Sequence, residues 1–108
     1  MKSLNHIQLI GYLGKDPQFI KFKTGKEMAR LRMATDTYVH EAGERKKYTE
    51  WHTIKIWGPQ VERIRNYLIK GSHVLVDGRL GYSSYTDKDG QTRYFTEIRA
   101  NYLVDLDR

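Results

Sequence analysis

Most segments of this chain alternate between apolar and polar residues, and this period of two strongly limits the folds that the chain can adopt. In the segment Tyr48–Trp57, Ile54 and Ile56 fall on one face, whereas Trp51 and Lys55 fall on the other. Such alternation is typical of a β-strand that buries one of its faces. A chain built mostly from such segments is expected to form a sheet or a barrel, because an amphipathic helix would repeat its apolar residues every 3.6 positions.

The same pattern predicts the other strands and one helix. The predicted strands are Asn5–Leu13, Phe19–Lys23, Met28–Tyr38, Tyr48–Trp57, His73–Tyr85 and Arg93–Leu106. The polar, charged residues His40–Lys47 are predicted to form a loop. A helix is predicted over Gln60–Lys70, with Pro59 in its first turn and Gly71 just past its end. The apolar stripe that would pack this helix on the sheet consists of Val61, Ile64 and Leu68.

The order of these elements indicates a small closed barrel. Five main strands, with one helix between the third and the fourth, are typical of the all-β OB fold. Glycines such as Gly11, Gly78 and Gly81 interrupt the strands where they would have to bend. A half-open sheet with a helix on one face is the alternative. The length of 108 residues is that of one domain, so we expect residues 1–108 to form a single domain.

The charge of the chain indicates a polyanionic partner. Nineteen Lys and Arg residues against 13 Asp and Glu give a net charge of +6. There is no cysteine, which excludes disulfides and Cys-ligated zinc and favours a reducing, cytoplasmic compartment. No apolar run approaches the roughly 20 residues that span a bilayer, so no membrane partner is expected.

The sequence contains no recognisable catalytic or metal-ligating constellation. Its four histidines, His6, His40, His52 and His73, lack the spacing of metal ligands. Neither a glycine-rich phosphate loop nor a nucleophile elbow is present. We therefore expect a protein that is not an enzyme and that needs no metal and no cofactor. His52 is expected to be packed or to lie at an interface.

One face of the predicted strands combines aromatic and basic side chains. Trp51 and Trp57 flank Lys55 on the face that the core does not use. The preceding strand presents Arg30 and Arg32 in the same way. Exposed indoles are unfavourable unless they contact a ligand. Burial of both indoles under a loop or against another subunit is the alternative.

Binding of single-stranded nucleic acid requires this combination of residues. Unstacked bases can stack on aromatic rings, which stabilises the complex by roughly 1–3 kcal/mol per base. Phosphates attract the cations, so affinity falls with salt at a log–log slope of about −0.7 per phosphate. Major-groove reading of duplex DNA is not expected, because the predicted helix commits its apolar stripe to the core. The cations predicted to meet phosphate are Arg30, Arg32, Lys55, Arg79 and Arg93.

Blocks along nearly the whole chain resemble the bacterial single-stranded DNA-binding proteins, the SSB family. These blocks are Asn5–Pro17, Ala34–Thr35, Thr49–His52, Ile56–Gly58, Tyr67–Ser72, Val76–Leu80, Tyr85–Asp87, Asp89–Gln91 and Arg93–Tyr94. Any one block is a weak signal, but together they are specific. The resemblance implies an OB fold that assembles as a homotetramer. It also implies nonspecific binding and protection of single-stranded DNA during replication, recombination and repair, at the bacterial nucleoid.

The resemblance also implies which aromatic residues stack on bases. By position, Trp51, Trp57 and Tyr85 match stacking aromatics of the family. A direct count places Val39 at the fourth stacking position, and we favour its aromatic neighbour Tyr38.

Subunit contacts and recruitment are further implications of the resemblance. His52 matches a histidine associated with subunit contacts, and we also expect His6 at the oligomer interface. Family members usually continue into a flexible tail with an acidic tip that recruits replication and repair proteins. This chain stops at Arg108, so tail-dependent recruitment is not expected from it. A primosome-type or RNA-binding accessory and a purely structural oligomerisation module remain as alternatives.

Overall fold

The computed structural model describes residues 2–108 and contains a closed barrel. Its elements are β1 (Ile7–Leu13), β2 (Gln18–Lys21), β3 (Glu27–Glu41), β4 (Glu44–Trp57), α1 (Gln60–Tyr67), β5 (His73–Thr86) and β6 (Thr92–Asp105). The strand order is β1-β5-β6-β4-β3-β2, and an additional pairing of β1 with β3 closes a ring of five strands. β2 pairs with the first four residues of β3. The predicted five-stranded OB-fold barrel is confirmed, with its helix between the third and fourth strands of the ring.

Two glycines permit the strands to approach closely enough for closure. A Cβ on Gly11 would lie 2.1 Å from the carbonyl oxygen of Ala34, so no side chain fits between β1 and β3 there. A Cβ on Gly78 would lie 2.4 Å from the carbonyl oxygen of Arg99. The pairing of β5 with β6 shifts its register between Asp77 and Gly78, as expected where a strand bends.

The barrel interior and the inner face of the helix form one apolar core. Its largest fully buried side chains are Leu31, Met33, Ile54, Ile56, Ile64, Val74 and Val76. Burial of each such side chain stabilises the fold by about 1.5–3 kcal/mol. Val61, Ile64 and Leu68 are all buried in this core, which confirms that they pack on the sheet, although Leu68 lies just past the end of the helix. Within residues 2–108, no helix is long and apolar enough to cross a membrane.

The prediction of a loop over His40–Lys47 is wrong. β3 and β4 continue to Glu41 and Glu44 and are joined by Ala42 and Gly43 alone. Both turn residues have positive φ, at 51° and 79°, as a two-residue hairpin turn between twisted strands requires. The end of this hairpin is exposed on both faces, so no apolar alternation marks its strands in the sequence.

The helix is shorter than the sequence predicts. It ends at Tyr67, because Leu68 is already extended, with φ −100° and ψ 134°. The backbone N–H of Lys70 donates to the Asp16 carboxylate at 2.8 Å instead of continuing the helix. Gly71 therefore adopts its positive φ of 92° in the turn that follows, and not directly after the helix.

Candidate nucleic-acid interface

An open groove of about 1000 Å³ crosses one face of the barrel. Five of the residues predicted to bind nucleic acid line it, namely Trp51, Tyr85, Arg30, Arg32 and Lys55. Three further lining residues that could contact nucleic acid were not among the predicted ones, namely Lys15, Tyr94 and Phe95. The groove therefore combines aromatic and basic side chains from separate strands.

The register of β3 against β4 places the groove cations side by side. Arg30 lies opposite Lys55, and Arg32 lies opposite Thr53. The Arg30 guanidinium donates two hydrogen bonds, of 3.1 and 2.8 Å, to Oε1 of Gln18. Arg32 donates a bond of 3.0 Å to Oγ1 of Thr53. Both acceptors are uncharged, so these contacts orient the two guanidinium groups without neutralising them.

Trp51 is held at the groove with 51% of its surface exposed. Its indole lies against the backbone of Gly14, where an added Cβ would be 2.2 Å from the ring carbon Cζ3. The guanidinium carbon of Arg32 lies 5.9 Å from the indole centroid, within range of a cation–π interaction. The ring is thus oriented by the protein while about half of its surface stays accessible.

The β5–β6 hairpin brings a second set of aromatic rings to the groove. The ring centroids of Tyr85 and Phe95 are 6.1 Å apart with an interplanar angle of 53°, a favourable tilted arrangement. Tyr94 is 80% exposed and lies opposite Ser84. A signal for Tyr94 and Phe95 is present in the sequence, since both lie near the start of the predicted strand Arg93–Leu106.

One groove cation is paired with a buried carboxylate. Nζ of Lys55 lies 2.8 Å from Oε1 of Glu97, and Nε of Arg99 lies 3.0 Å from Oε2. Burial by itself raises the pKa of Glu97, but the polar contacts of Lys55, Ser83 and Arg99 outweigh it and lower the pKa. Glu97 therefore carries its negative charge at neutral pH. A single glutamate on a predicted strand gives no sequence signal of this role.

Two predicted stacking residues lie outside the groove lining. Trp57, at the end of β4, stacks on Phe22 with their ring centroids 5.0 Å apart. Tyr38 lies on the β3–β4 hairpin, where the guanidinium carbon of Arg45 is 4.1 Å from the Tyr38 ring centroid. Both aromatic rings are about half exposed. They lie beyond the two ends of the part of β4 that lines the groove, from Trp51 to Lys55, and therefore extend the aromatic surface.

Two predicted phosphate contacts are also outside the groove lining. Nε of Arg93 lies 2.8 Å from Oδ2 of Asp87, near the turn between β5 and β6. The Arg93 hydrogen bond is the largest cause of a lowered pKa at Asp87, so the charge of Arg93 is partly neutralised. Arg79 is exposed on β5, opposite Arg99. Contact of Arg79 and Arg93 with phosphate stays a prediction.

The family of this barrel follows from comparison with known proteins. The single-strand binding protein family matches residues 4–106. This chain belongs to that family. Single-stranded DNA-binding protein 1 of Xylella fastidiosa (strain 9a5c) is 40% identical over 105 residues, which cover 95% of this chain and 77% of the relative. The family resemblance is confirmed, and with it the expectation of a binding protein that is not an enzyme.

Solved SSB structures share the fold over nearly the whole chain. The Plasmodium falciparum SSB in complex with ssDNA has a TM-score of 0.88 and 33% identity, covering 99% of this chain and 98% of that chain. A deletion mutant of the single-stranded DNA binding protein from Thermus aquaticus has a TM-score of 0.82 and 29% identity. That match covers 95% of this chain and 50% of the Thermus chain.

The two histidines predicted at an oligomer interface occupy different places in this SSB-family chain. Nε2 of His6 lies 2.8 Å from Oδ2 of Asp77 on the outer face of β1 and β5. Nε2 of His52 lies 2.8 Å from Oγ1 of Thr35, and the His52 ring lines the groove. Burial is the largest cause of a lowered pKa at His52, against an opposing contribution from Glu50. Their place at an interface stays a prediction.

The outer face of β1, β5 and β6 exposes an apolar surface that the sequence analysis did not identify. Its exposed apolar side chains are Ile10, Tyr12, Tyr102 and Val104, and the exposed Leu106 follows directly after β6. The register places Leu75 between Ile10 and Val104, so these side chains are neighbours. A contiguous apolar surface of this kind typically marks an interaction site.

Proposed function

We propose that this chain binds single-stranded DNA without sequence specificity and that residues 1–108 act as a single binding domain. The observation that carries the proposal is the juxtaposition of the half-exposed Trp51 with Arg30 and Arg32 in one groove. Across residues 2–108, no carboxylate lies within ion-pair distance of either guanidinium. A base stacked on the indole therefore places its phosphates beside cations whose charge is available.

The groove favours single strands over duplexes for a physical reason. A base can stack on Trp51 or Tyr85 only when its face is free, and a duplex covers the faces of its bases. Stacking tolerates every base because each has a π-face, so the binding is not sequence-specific. The complex of the Plasmodium relative with ssDNA supports this proposal.

The path of the strand extends beyond the groove in this proposal. Trp57 and Tyr38 provide further stacking surfaces, and Arg79 and Arg93 provide further cations for phosphate. The role is protection of single strands during replication, recombination and repair, in the bacterial cytoplasm and at the nucleoid. The family membership supports these processes.

We also propose that the chain assembles as a homotetramer. The apolar outer face of β1, β5 and β6 supports this, because assembly would remove Ile10, Tyr12 and Val104 from water. His6 directly precedes β1, and its ring contacts Asp77 on the neighbouring strand β5. Sedimentation analysis of the native protein and of an Ile10→Glu variant tests this assembly, and a native monomer would contradict it.

Titration of tryptophan fluorescence with oligo-dT and with a matched duplex, at two salt concentrations, tests DNA binding. We expect strong quenching by oligo-dT and weak quenching by the duplex. The variants Trp51→Ala and Trp57→Ala assign the quenching to one indole or the other. An absence of quenching by both nucleic acids would contradict the proposal and favour the structural oligomerisation module. A poly-U affinity equal to that for poly-dT would favour the RNA-binding accessory.

A further inference from the structure

Glu97 is a buried negative charge beneath a groove that is otherwise basic. Its side chain is 3% exposed. It contacts two cations, Lys55 at 2.8 Å and Arg99 at 3.0 Å. One carboxylate therefore opposes two positive charges at the place where a phosphate backbone would pass.

Lys55 is held by its surroundings and is not free to follow a phosphate. Its side chain is only 20% exposed, and Nζ lies 5.6 Å from the centroid of the Phe95 ring. If the ammonium moved to a phosphate, the nearest oxygen of Glu97 would lose its charged partner while remaining buried. Unpaired buried charge is strongly unfavourable, so the ion pair with Glu97 competes with DNA for Lys55.

Arg99 is fixed in the same way on the neighbouring strand. Its guanidinium contacts Glu97 and donates a bond of 2.9 Å to the carbonyl oxygen of Tyr82. It lies across Gly81, where an added Cβ would be 2.4 Å from Nε of Arg99. The guanidinium can lie there because Gly81 has no side chain, since any other residue at position 81 would overlap it.

Arg30 and Arg32 differ from this pair in what they contact. Their hydrogen bonds go to Gln18 and Thr53, which carry no charge. A phosphate can approach these two guanidinium groups without breaking an ion pair. The groove lining therefore contains two available guanidinium groups and one cation, Lys55, that is already neutralised, and Arg99 lies outside the lining.

We propose that Glu97 is a positioning residue that withholds Lys55 and Arg99 from phosphate and so limits the affinity and the salt dependence of ssDNA binding. This inference rests on the proposed DNA-binding function of the groove. Only cations that meet phosphate contribute to the salt slope, at about 0.7 each for single strands. Removal of the Glu97 charge frees one or two further cations and makes the slope steeper.

The experiment compares Glu97→Gln with the wild type in titrations with a dT oligonucleotide of about ten nucleotides, within the site size of one OB fold. Tryptophan quenching is measured between 50 and 200 mM NaCl. Each freed cation makes the log–log slope steeper by about 0.7. Over this fourfold range of salt, the affinity of Glu97→Gln therefore falls about 2.6-fold more per freed cation than that of the wild type. Glu97→Gln also binds more tightly at the low-salt end, which structural damage would not produce.

Three further variants separate the ion pair from the net charge. Glu97→Asp keeps the carboxylate and is expected to retain most of the wild-type slope. Glu62→Gln raises the net charge equally but lies on the helix, where Arg65 keeps its second partner Glu27, and it is expected to follow the wild type. Lys55→Gln is expected to flatten the slope more in the Glu97→Gln background than in the wild type.

The outcomes distinguish this inference from the proposed function. An unchanged or flatter slope in a folded Glu97→Gln variant, with wild-type quenching intact, overturns the role of Glu97 alone. A wild type that oligo-dT does not quench overturns the proposed function instead. If circular dichroism shows that Glu97→Gln is unfolded, Gly81→Ala replaces it. The Cβ added by Gly81→Ala displaces the Arg99 guanidinium from Glu97, so a slope steeper than that of the wild type is expected. A wild-type slope in folded Gly81→Ala then overturns the inference.

Discussion

The contact between Gly14 and Trp51 allows the stacking function to be tested without removing the indole. A Cβ at position 14 would lie 2.2 Å from Cζ3 and 2.6 Å from Cη2 of Trp51. Ordinary contacts between carbon atoms are about 3.5–4.0 Å, so the ring must move by more than about 1 Å in Gly14→Ala. The φ angle of Gly14 is not positive, so alanine there meets no strain from a left-handed backbone.

The expected loss of affinity has an upper limit. A base that can no longer stack on the displaced indole loses roughly 1–3 kcal/mol. At 25 °C this corresponds to about a 5- to 150-fold increase in Kd. Trp51→Ala removes the ring completely and sets the upper limit, and Gly14→Ala is expected to lie between it and the wild type.

Fluorescence anisotropy of a labelled dT oligonucleotide measures both variants without relying on tryptophan emission. The double variant Gly14→Ala/Trp51→Ala completes a double-mutant cycle. If Gly14 acts through the indole, Gly14→Ala adds no further loss once Trp51 is alanine. Wild-type affinity in Gly14→Ala, or a loss that persists without the indole, would refute the reasoning.

Three further predictions concern charge, the turn and pH. Arg30→Gln should flatten the salt slope of oligo-dT binding by about 0.7, and an unchanged slope in salt titrations would remove Arg30 from the phosphate path. Ala42→Gly should raise the free energy of unfolding in urea by up to about 1 kcal/mol, because Ala42 has a φ of 51° that glycine adopts freely. A decrease in the free energy of unfolding would contradict this. The free energy of unfolding should fall between pH 7 and pH 5, because the lowered pKa of His52 lets the unfolded chain bind its proton first. His52→Gln should weaken that pH dependence, and an unaltered profile would assign it to other groups.

Much of the barrel could be predicted from the sequence because burial alternates locally along a strand. Ile54 and Ile56 face the core and Trp51 faces outward, as the period of two indicates. The end of the β3–β4 hairpin was missed because both of its faces are exposed. The last predicted turn of the helix was missed because Lys70 donates its N–H to Asp16, a partner that is distant in the sequence.

Most of the strands, the apolar core, the excess of positive charge and the outward aromatic residues follow from the sequence alone. These properties depend on neighbours along the chain, which a single sequence displays. Which cations are available to a phosphate depends on the three-dimensional fold. Lys55 and Arg30 look equivalent on their strands, yet Lys55 is paired with Glu97 and Arg30 contacts the uncharged Gln18. Electrostatic pairing depends on distance in space, and the closure of the barrel brings β4 and β6 together.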